Sequence, residues 1–265
     1  MRADLLDRTL AAVAAHARWV LLAEDAPNRR GFLQAVAPSV KLLGVLALLV
    51  TTVVQRELST VLALAGLAAA LAALSRVPAR AFLGRVTGPP AVAFVVVGPQ
   101  MLLMGGPSLP WTPLPLSAAG VEYVVTFTVR VAACVGFLTV LLLTTRFSAL
   151  LSALRRLRAP TIAVTLLAIT YRYLLLFFAE LGRMVRARRG RTVADPEIQR
   201  SWRDSGNFLG TFLLRSLERG ERVERAARAR GGTGVTPARP RAPLGLADAA
   251  FGAVVAATVT GVVLA

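Results

Sequence analysis

The chain has 265 residues, of which 55% are hydrophobic and only 17% are charged, yet its formal net charge is +17. Soluble domains carry about 25% charged residues, so the composition excludes an ordinary water-soluble fold. The charge is also segregated: fifteen arginines fall between Arg183 and Arg241, whereas Leu58–Leu74, Val86–Met104 and Ala249–Ala265 contain no ionisable residue. We therefore predict an all-α integral membrane protein with a basic region outside the bilayer.

Five apolar segments are candidates for membrane-spanning helices, because a helix needs about 20 apolar residues to cross a bilayer. Residues 31–145 contain four of them and residues 244–265 the last. Before them, residues 1–30 form an amphipathic segment that we expect on the cytoplasmic membrane surface. Gly98 and Pro99 are expected to break the third span. The predicted spans are Phe32–Val54, Leu58–Leu74, Val86–Met104, Val121–Thr145 and Leu244–Ala265.

Arginine positions predict the orientation of these spans, because positively charged loops stay on the cytoplasmic side. The loop between the second and third spans holds Arg76, Arg80 and Arg85, and the segment after the fourth span is also rich in arginine. By contrast, the proline-rich loop 105–118 has no charge. We therefore expect a multi-pass protein of the cell membrane with its N-terminus and residues 146–243 in the cytoplasm.

Residues 146–243 are predicted to form a cytoplasmic domain of one short and two long helices. Leucines at helical spacing over 147–157 indicate a short amphipathic helix at the membrane surface. The first long helix, about 161–189, is apolar enough to be a span, but arginine blocks flank it on both sides. We interpret it as a slanted helix in the cytoplasmic half of the membrane, covered on its apolar face by other helices.

The second long helix is predicted over about 207–230, with Asn207 as its cap. Its acidic residues stand four positions before arginines, the favourable order for ion pairs on a helix. These pairs indicate a solvated helix face. They are Glu218–Arg222, Glu221–Arg225 and Glu224–Arg228.

Both long helices are predicted to end in similar sequences, Ala187-Arg188-Arg189 followed by Gly190 in the first and Ala229-Arg230-Gly231 in the second. Arginine in a last turn complements the helix dipole, and glycine is common just beyond a helix end. The two sequences can therefore be ordinary helix stops or contact points for partner proteins. From the residues alone, both interpretations stay open.

Residue types that carry catalytic or metal chemistry are scarce. A single cysteine, Cys134, and a single histidine, His16, provide neither a disulfide framework nor a metal cluster. Lys41 is the only lysine, and its surroundings, Ser-Val-Lys-Leu-Leu, are not those of a phosphate-binding loop. We therefore predict no enzymatic activity, no metal site and no cofactor in this chain.

The sequence resembles the transmembrane T component of energy-coupling factor (ECF) transporters, and among them the cobalt/nickel branch called CbiQ. The resemblance covers nearly the whole chain. Ala37–Leu43 stands where the family often has Asp-Pro-x-x-Lys-Leu, although Ala37 replaces the aspartate. Tyr171–Met184 is similar to the family's Arg-Tyr-Leu…Glu…Arg-Met stretch, and the paired Ala-Arg-x sequences are the most specific feature.

The resemblance implies a coupling subunit of an ABC-type importer for cobalt or nickel. Such a subunit links two cytoplasmic ATPase subunits to a separate membrane subunit, the S component, which binds the substrate. In the family the paired motifs end two coupling helices, each of which docks one ATPase. The residues to which this assigns a docking role are Ala187, Arg188, Arg189, Ala229, Arg230 and Gly231.

Other polar residues leave alternatives open. Arg130 lies midway along the fourth span, where it could contact the S component, pair with Glu180 or extend to the membrane surface. Arg172 and Glu180 are further candidates for S-component or intramembrane contacts. Asp248 is expected at the membrane interface.

The alternative function is a basic membrane anchor or scaffold. Its positive face would bind anionic lipid, nucleic acid or a cytoplasmic partner. In the preferred interpretation the partners are the bilayer, the ATPases and the S component, and nucleic acid is not one.

Overall fold

The computed structural model of the chain describes residues 31–105, 117–190, 198–231 and 245–264. Within these ranges all regular elements are helices and no strand is formed, so the predicted all-α fold is confirmed. The predicted surface segment 1–30, most of the loop 105–118 and residues 232–244 lie outside the described residues.

In chain order, the helices of the described residues are α1 (Phe32–Ala35), α2 (Pro38–Val54), α3 (Leu58–Leu74), α4 (Ala79–Val86), α5 (Gly88–Val97), α6 (Gln100–Leu103), α7 (Ala118–Thr144), α8 (Phe147–Arg156), α9 (Thr161–Arg189), α10 (Ile198–Ala229) and α11 (Leu246–Leu264).

The helices belong to two compact units. The bundle unit comprises the described residues 31–105, 117–157 and 245–264, with α1 to α8 and α11. The arginine-rich unit comprises residues 158–190 and 198–231, with α9 and α10. The arginine-rich unit is thus an insertion between two parts of the bundle unit.

Within the described residues, four helical stretches are long and apolar enough to cross a bilayer: Ala79–Leu103, Ala118–Thr144, Thr161–Met184 and Leu246–Leu264. The chain is therefore a multi-pass membrane protein. Helices α2 and α3 are apolar but have 17 residues each, which corresponds to about 25 Å. One of the four stretches, Thr161–Met184, was predicted to lie in the cytoplasmic half of the membrane without crossing it. That placement stays a prediction.

The start predicted for the third span, Val86, is too late in the sequence. The helical stretch begins at Ala79 and includes Arg80 and Arg85. Because these two residues are charged, we expected them in the loop before the span. Arg85 Nη1 donates to the carbonyl oxygen of Ala81 at 2.9 Å, so its charge is accommodated on the helix surface. The predicted break at Pro99 is confirmed, because α5 ends at Val97 and α6 begins at Gln100.

The core of the bundle unit lies where α2, α3, α7 and α11 meet. Leu48, Leu64, Phe137 and Phe251, one from each helix, are buried in a single apolar cluster. Gly44 allows α2 to approach α11 closely, because a Cβ atom there would clash with the Phe251 ring. Between membrane helices such side chains stabilise the contact by close van der Waals packing.

The predicted amphipathic helix at 147–157 is present as α8 and packs against α2 in the bundle unit. Leu151 and Ala153 are buried, whereas Ser152 between them is exposed. One face of α8 therefore supports the bundle. The proposed domain boundary at residue 146 stays a prediction.

In the arginine-rich unit, α9 has 29 residues and α10 has 32. The prediction that Asn207 caps the second long helix is wrong, because α10 begins nine residues earlier at Ile198. No proline or glycine lies between residues 198 and 205 to end the helix. The preference of asparagine for helix caps is weak against a continuing helical pattern.

Candidate functional site

The two Ala-Arg-x sequences lie at the C-terminal ends of the two longest helices. Helix α9 ends at Arg189, and the amide of Gly190 donates to the carbonyl of Arg186 at 3.1 Å. Helix α10 ends at Ala229, and the amide of Gly231 donates to the carbonyl of Arg228 at 3.0 Å. The predicted positions of both motifs at helix ends are therefore correct.

The residues of these ends that the structure describes are accessible. Ala187, Ala229, Arg230 and Gly231 are exposed, while the side chains of Arg188 and Arg189 lie outside the described part. Gly231 has φ +89°, a left-handed conformation in which any other residue is strained. The α10 end is thus a glycine-terminated helix with an accessible arginine beside the turn.

The predicted ion pairs of α10 are confirmed. Glu218 pairs with Arg222 at 3.7 Å and Glu221 with Arg225 at 3.8 Å. Glu224 pairs with Arg228 one turn before the helix end. All six side chains are mostly exposed, so each pair supports the helix by only about 0.3 kcal/mol.

A small contact joins α9 to α10 inside the arginine-rich unit. The rings of Phe177 and Phe212 meet edge to face with their centres 5.9 Å apart. One turn further along α9, Glu180 accepts hydrogen bonds from Arg183 and, at 3.4 Å, from Arg215 of α10. An aromatic pair and a shared carboxylate therefore fix the point where the two helices meet.

A cavity of about 300 Å³ adjoins this contact. Glu180 and Arg215 line it together with Arg219 and Arg222. Arg172, the remaining candidate on α9, is exposed. Arg130, Arg172 and Glu180 were predicted to make S-component or intramembrane contacts. Of these, Glu180 has hydrogen-bond partners within the arginine-rich unit.

Arg130 has its partner in the bundle unit. Its Nη2 donates to the carbonyl oxygen of Gln55 at 2.5 Å. Gln55 is the residue that ends α2, and its own side-chain amide donates to the carbonyl of Val262 in α11 at 3.3 Å. A cation of α7 therefore satisfies the C-terminal end of α2, where helix carbonyls lack partners.

At the opposite end of α2, Lys41 and Asp248 form a polar cluster that sequence analysis missed. Lys41 is only 2% exposed and Asp248 only 7%, whereas the position expected for Asp248 at the membrane interface stays a prediction. Lys41 Nζ donates to the carbonyl of Thr144 at 3.2 Å and to Thr145 Oγ1 at 3.0 Å. The sequence contained one signal of this cluster. Lys41 and Asp248 are each a single charged residue near the start of an otherwise apolar segment.

The apolar side chains of both long helices are largely exposed. On α10, Leu209, Leu213, Leu214 and Leu217 are all more than half exposed. On α9, several large side chains are exposed as well, with Ile162 at 76%. Within the described residues these apolar surfaces are exposed, and the cover expected for α9 stays a prediction.

Metal and cofactor chemistry has little basis in the described ranges. They contain no group of three or more His, Cys, Asp or Glu side chains that could hold a metal ion. Cys134 is a free thiol, partly buried in α7.

Comparison with known proteins gives a family match over most of the chain. The model of the family CbiQ, described as "Cobalt transport protein", matches residues 30–241. This range includes α1 to α10 and both Ala-Arg-x sequences, whereas α11 lies beyond it.

A curated relative supports the same extent of similarity. An uncharacterized protein of Methanocaldococcus jannaschii is 27% identical over 228 residues, which cover 83% of this chain and 78% of the relative. The similarity thus reaches across both units.

Proposed function

The chain belongs to the CbiQ cobalt transport protein family, and on this premise we propose that it is the coupling (T) component of an ECF-type importer. It transmits the ATP-driven motion of two cytoplasmic ATPase subunits to an S component that binds the substrate, cobalt or nickel ions. The observation that carries this proposal is the pair of long helices, α9 and α10, that end in Ala-Arg-x within one inserted unit.

Each helix end is proposed to dock one ATPase subunit. Arg188 and Arg230 each supply a guanidinium, whose planar donor group can bind both oxygens of a carboxylate. Ala187 and Ala229 permit close approach because their side chains are small. Arg189 and Gly231 complete the two contact sites, and Gly231 turns the chain away from the α10 end through its left-handed conformation.

Transmission is supported by the dimensions of the two helices. At 1.5 Å per residue, α9 and α10 are about 44 Å and 48 Å long. The two helices meet at Phe177 and Glu180 of α9 and at Phe212 and Arg215 of α10. At 1.5 Å per residue, Glu180 is about 13 Å from the end of α9 and Arg215 is about 21 Å from the end of α10. Displacement of an end by an ATPase is therefore carried along a stiff helix to that contact.

The S component is proposed to cover the exposed apolar surface of α9, with Arg172 among its contacts. The partners of Arg130 and Glu180 within the chain support positioning roles for these two residues. Substrate recognition is assigned to the S component. The orientation that places the helix ends in the cytoplasm follows from the arginine distribution.

The alternative, a basic anchor for anionic lipid or a cytoplasmic partner, is favoured only by the net charge of +17. It makes a different demand on the helix ends. An anchor needs positive charge of any kind, whereas docking by bidentate hydrogen bonds needs arginine. Replacement by lysine therefore separates the two functions.

Co-purification with the ATPase subunits of the same genome tests the proposal. In detergent, the wild type should retain both ATPases, and the double variant Arg188→Ala, Arg230→Ala should lose them. Arg188→Lys with Arg230→Lys should bind weakly although no charge is lost. The matched control is Arg222→Ala with Arg225→Ala, which removes two charges from the side of α10 and should leave binding intact.

Two results would contradict the proposal. Equal loss of ATPases in the control and in the helix-end variant would indicate a dependence on charge alone. A wild type that retains no ATPase at all would contradict the coupling function itself.

A further inference from the structure

The insertion that contains α9 and α10 is connected to the bundle unit by two joints, one on each side of it in the sequence. The chain leaves the bundle unit through Thr145 and α8, which ends just before the boundary at Leu157. It returns to the bundle unit before Gly245, the residue at the start of α11. Motion of α9 or α10 that passes along the backbone into the bundle unit therefore passes through one of these joints.

Lys41 fastens the turn between α7 and α8, which leads to the first joint, to α2. Its ammonium group donates to the carbonyl of Thr144, the last residue of α7, and to the hydroxyl of Thr145. Both acceptors are buried, and α8 begins two residues later. A cation is favourable at this place because the carbonyls at a helix C-terminus lack backbone partners.

Asp248 fastens the second joint to the same helix. Its Oδ1 accepts a hydrogen bond from the amide of Ala37 at 2.6 Å, and its Oδ2 accepts one from the amide of Gly245 at 2.8 Å. One carboxylate therefore caps the N-terminus of α2 and that of its own helix, α11. Ala37 has no side-chain acceptor of its own, so the cap comes from a residue 211 positions away.

The two fastenings lie side by side. Lys41 and Ala37 are one helical turn apart, joined by the hydrogen bond from the Lys41 amide to the Ala37 carbonyl at 3.0 Å. Two buried, opposite charges add little net stability compared with apolar residues of the same volume, but their hydrogen bonds specify which groups lie together. The cluster therefore defines position more than it stabilises the bundle unit.

We propose that Lys41 and Asp248 are positioning residues for energy coupling, because they hold the turn before α8 and the start of α11, the bundle-unit segments that lead to the two joints, on the first turn of α2. The inference rests on the proposed coupling function. With both joints held, motion of the arginine-rich unit reaches the bundle unit as displacement of a whole helix. With either joint released, the same motion is absorbed by local backbone movement at that joint.

The test is performed on the complete transporter, with wild-type or variant chain, both ATPases and the S component in lipid vesicles. Co²⁺ uptake and ATP hydrolysis are measured in the same vesicles. In Lys41→Met and in Asp248→Ala, uptake per ATP hydrolysed should fall by about tenfold, within the usual range of coupling free energies. The ATPases should still bind, because the helix ends are unchanged.

Two further variants separate positioning from stability. Thr52→Val removes a buried hydroxyl of α2 that donates to the carbonyl of Leu48 at 2.7 Å, and it should leave the ratio at the wild-type value. Lys41→Met combined with Asp248→Leu replaces the charge pair by apolar side chains, which should restore thermal stability. Its ratio should stay low, because neither joint is fastened.

If a variant does not assemble with the ATPases and the S component, amide hydrogen exchange is measured on the purified chain instead. Lys41→Met should increase exchange at the start of α8, and Asp248→Ala should increase it at Ala37 and in the first turn of α11. Unchanged exchange at the joints, or variants with the wild-type uptake ratio, would overturn the positioning roles. A wild type without ATP-dependent uptake would instead overturn the proposed function and, with it, the coupling role of the cluster.

Discussion

The bundle unit and the arginine-rich unit differ in how they place their apolar and their charged residues. In the bundle unit, apolar side chains such as Phe137 and Phe251 are buried within the chain. In α10 of the arginine-rich unit, Leu213 and Leu214 are 59% and 63% exposed. The bundle unit therefore has a core of its own beside exposed apolar side chains such as Leu103, whereas the apolar face of α10 is exposed within the described residues.

Charged residues show the same contrast. Among the described charges of the bundle unit, Lys41 and Asp248 are buried and bind helix ends of other elements. The charges of α10 are exposed and pair mostly within their own helix, as Glu221 does with Arg225. Buried charges thus connect helices in the bundle unit, whereas most of the described charges of α10 pair along that helix and Arg215 reaches α9.

The largest effect is expected from truncation of a buried ring. Phe251→Ala should destabilise the chain by about 3–5 kcal/mol, because it leaves a cavity against Gly44. The matched change on the exposed face, Leu213→Ala, should cost less than about 0.5 kcal/mol. Thermal unfolding in detergent, followed with a dye that labels Cys134, measures both. Similar melting temperatures for the two variants would contradict the contrast between the units.

An added side chain at the same place should have the next largest effect. Gly44→Val forces α2 away from the Phe251 ring and should cost about 1–3 kcal/mol. A second change, Phe251→Leu, makes room and should recover part of the melting temperature. If the two costs simply add, Gly44 and Phe251 are not in contact.

Alanine substitutions of two glycines in the α10 region should have smaller effects on helix stability, and the two effects should have opposite signs. Gly231→Ala introduces a Cβ atom at φ +89° and should weaken the helix end by about 1 kcal/mol. Gly220→Ala, inside the helix with no atom within 4 Å of the new Cβ, should instead stabilise it by about 0.5–1 kcal/mol. Hydrogen exchange of the last two turns of α10 should therefore change in opposite directions, and a change in the same direction would refute the assigned conformations.

The smallest effect is expected from an exposed ion pair. Glu221→Gln removes the charge that faces Arg225 and should cost about 0.3 kcal/mol of helix stability. Because the pair is exposed, high salt should abolish the difference in hydrogen exchange between variant and wild type. A larger effect that persists in high salt would show that Glu221 contributes more than a local pair.

Local patterns in the sequence predicted the elements well. Leu58–Leu74 has the same limits in sequence and structure, because a charge-free apolar run bounded by Glu57 and Ser75 allows few alternatives. The ends of α9 and α10 were also predicted, since an arginine-rich last turn followed by glycine has a local physical cause. The start of α10 was not, because a single asparagine is a weak signal.

These local patterns did not predict contacts between segments that are distant in the sequence. Asp248 and Ala37 are 211 residues apart, and no periodicity relates them. The cap of α2 is provided by another helix, so the local sequence around Ala37 shows only that a capping side chain is lacking. Likewise, the partner of Arg130 is a backbone carbonyl of Gln55, which every residue type would offer.

The burial of Lys41 has a practical consequence for the chemistry of the surface. It is the only lysine of the chain and is almost fully enclosed, so amine-directed reagents find no side-chain target on the folded protein. In an assembly, cross-links formed by such reagents would report contacts among the other subunits. A single lysine introduced at a chosen exposed position, such as Leu213, would then give this chain one addressable point on an otherwise unreactive background.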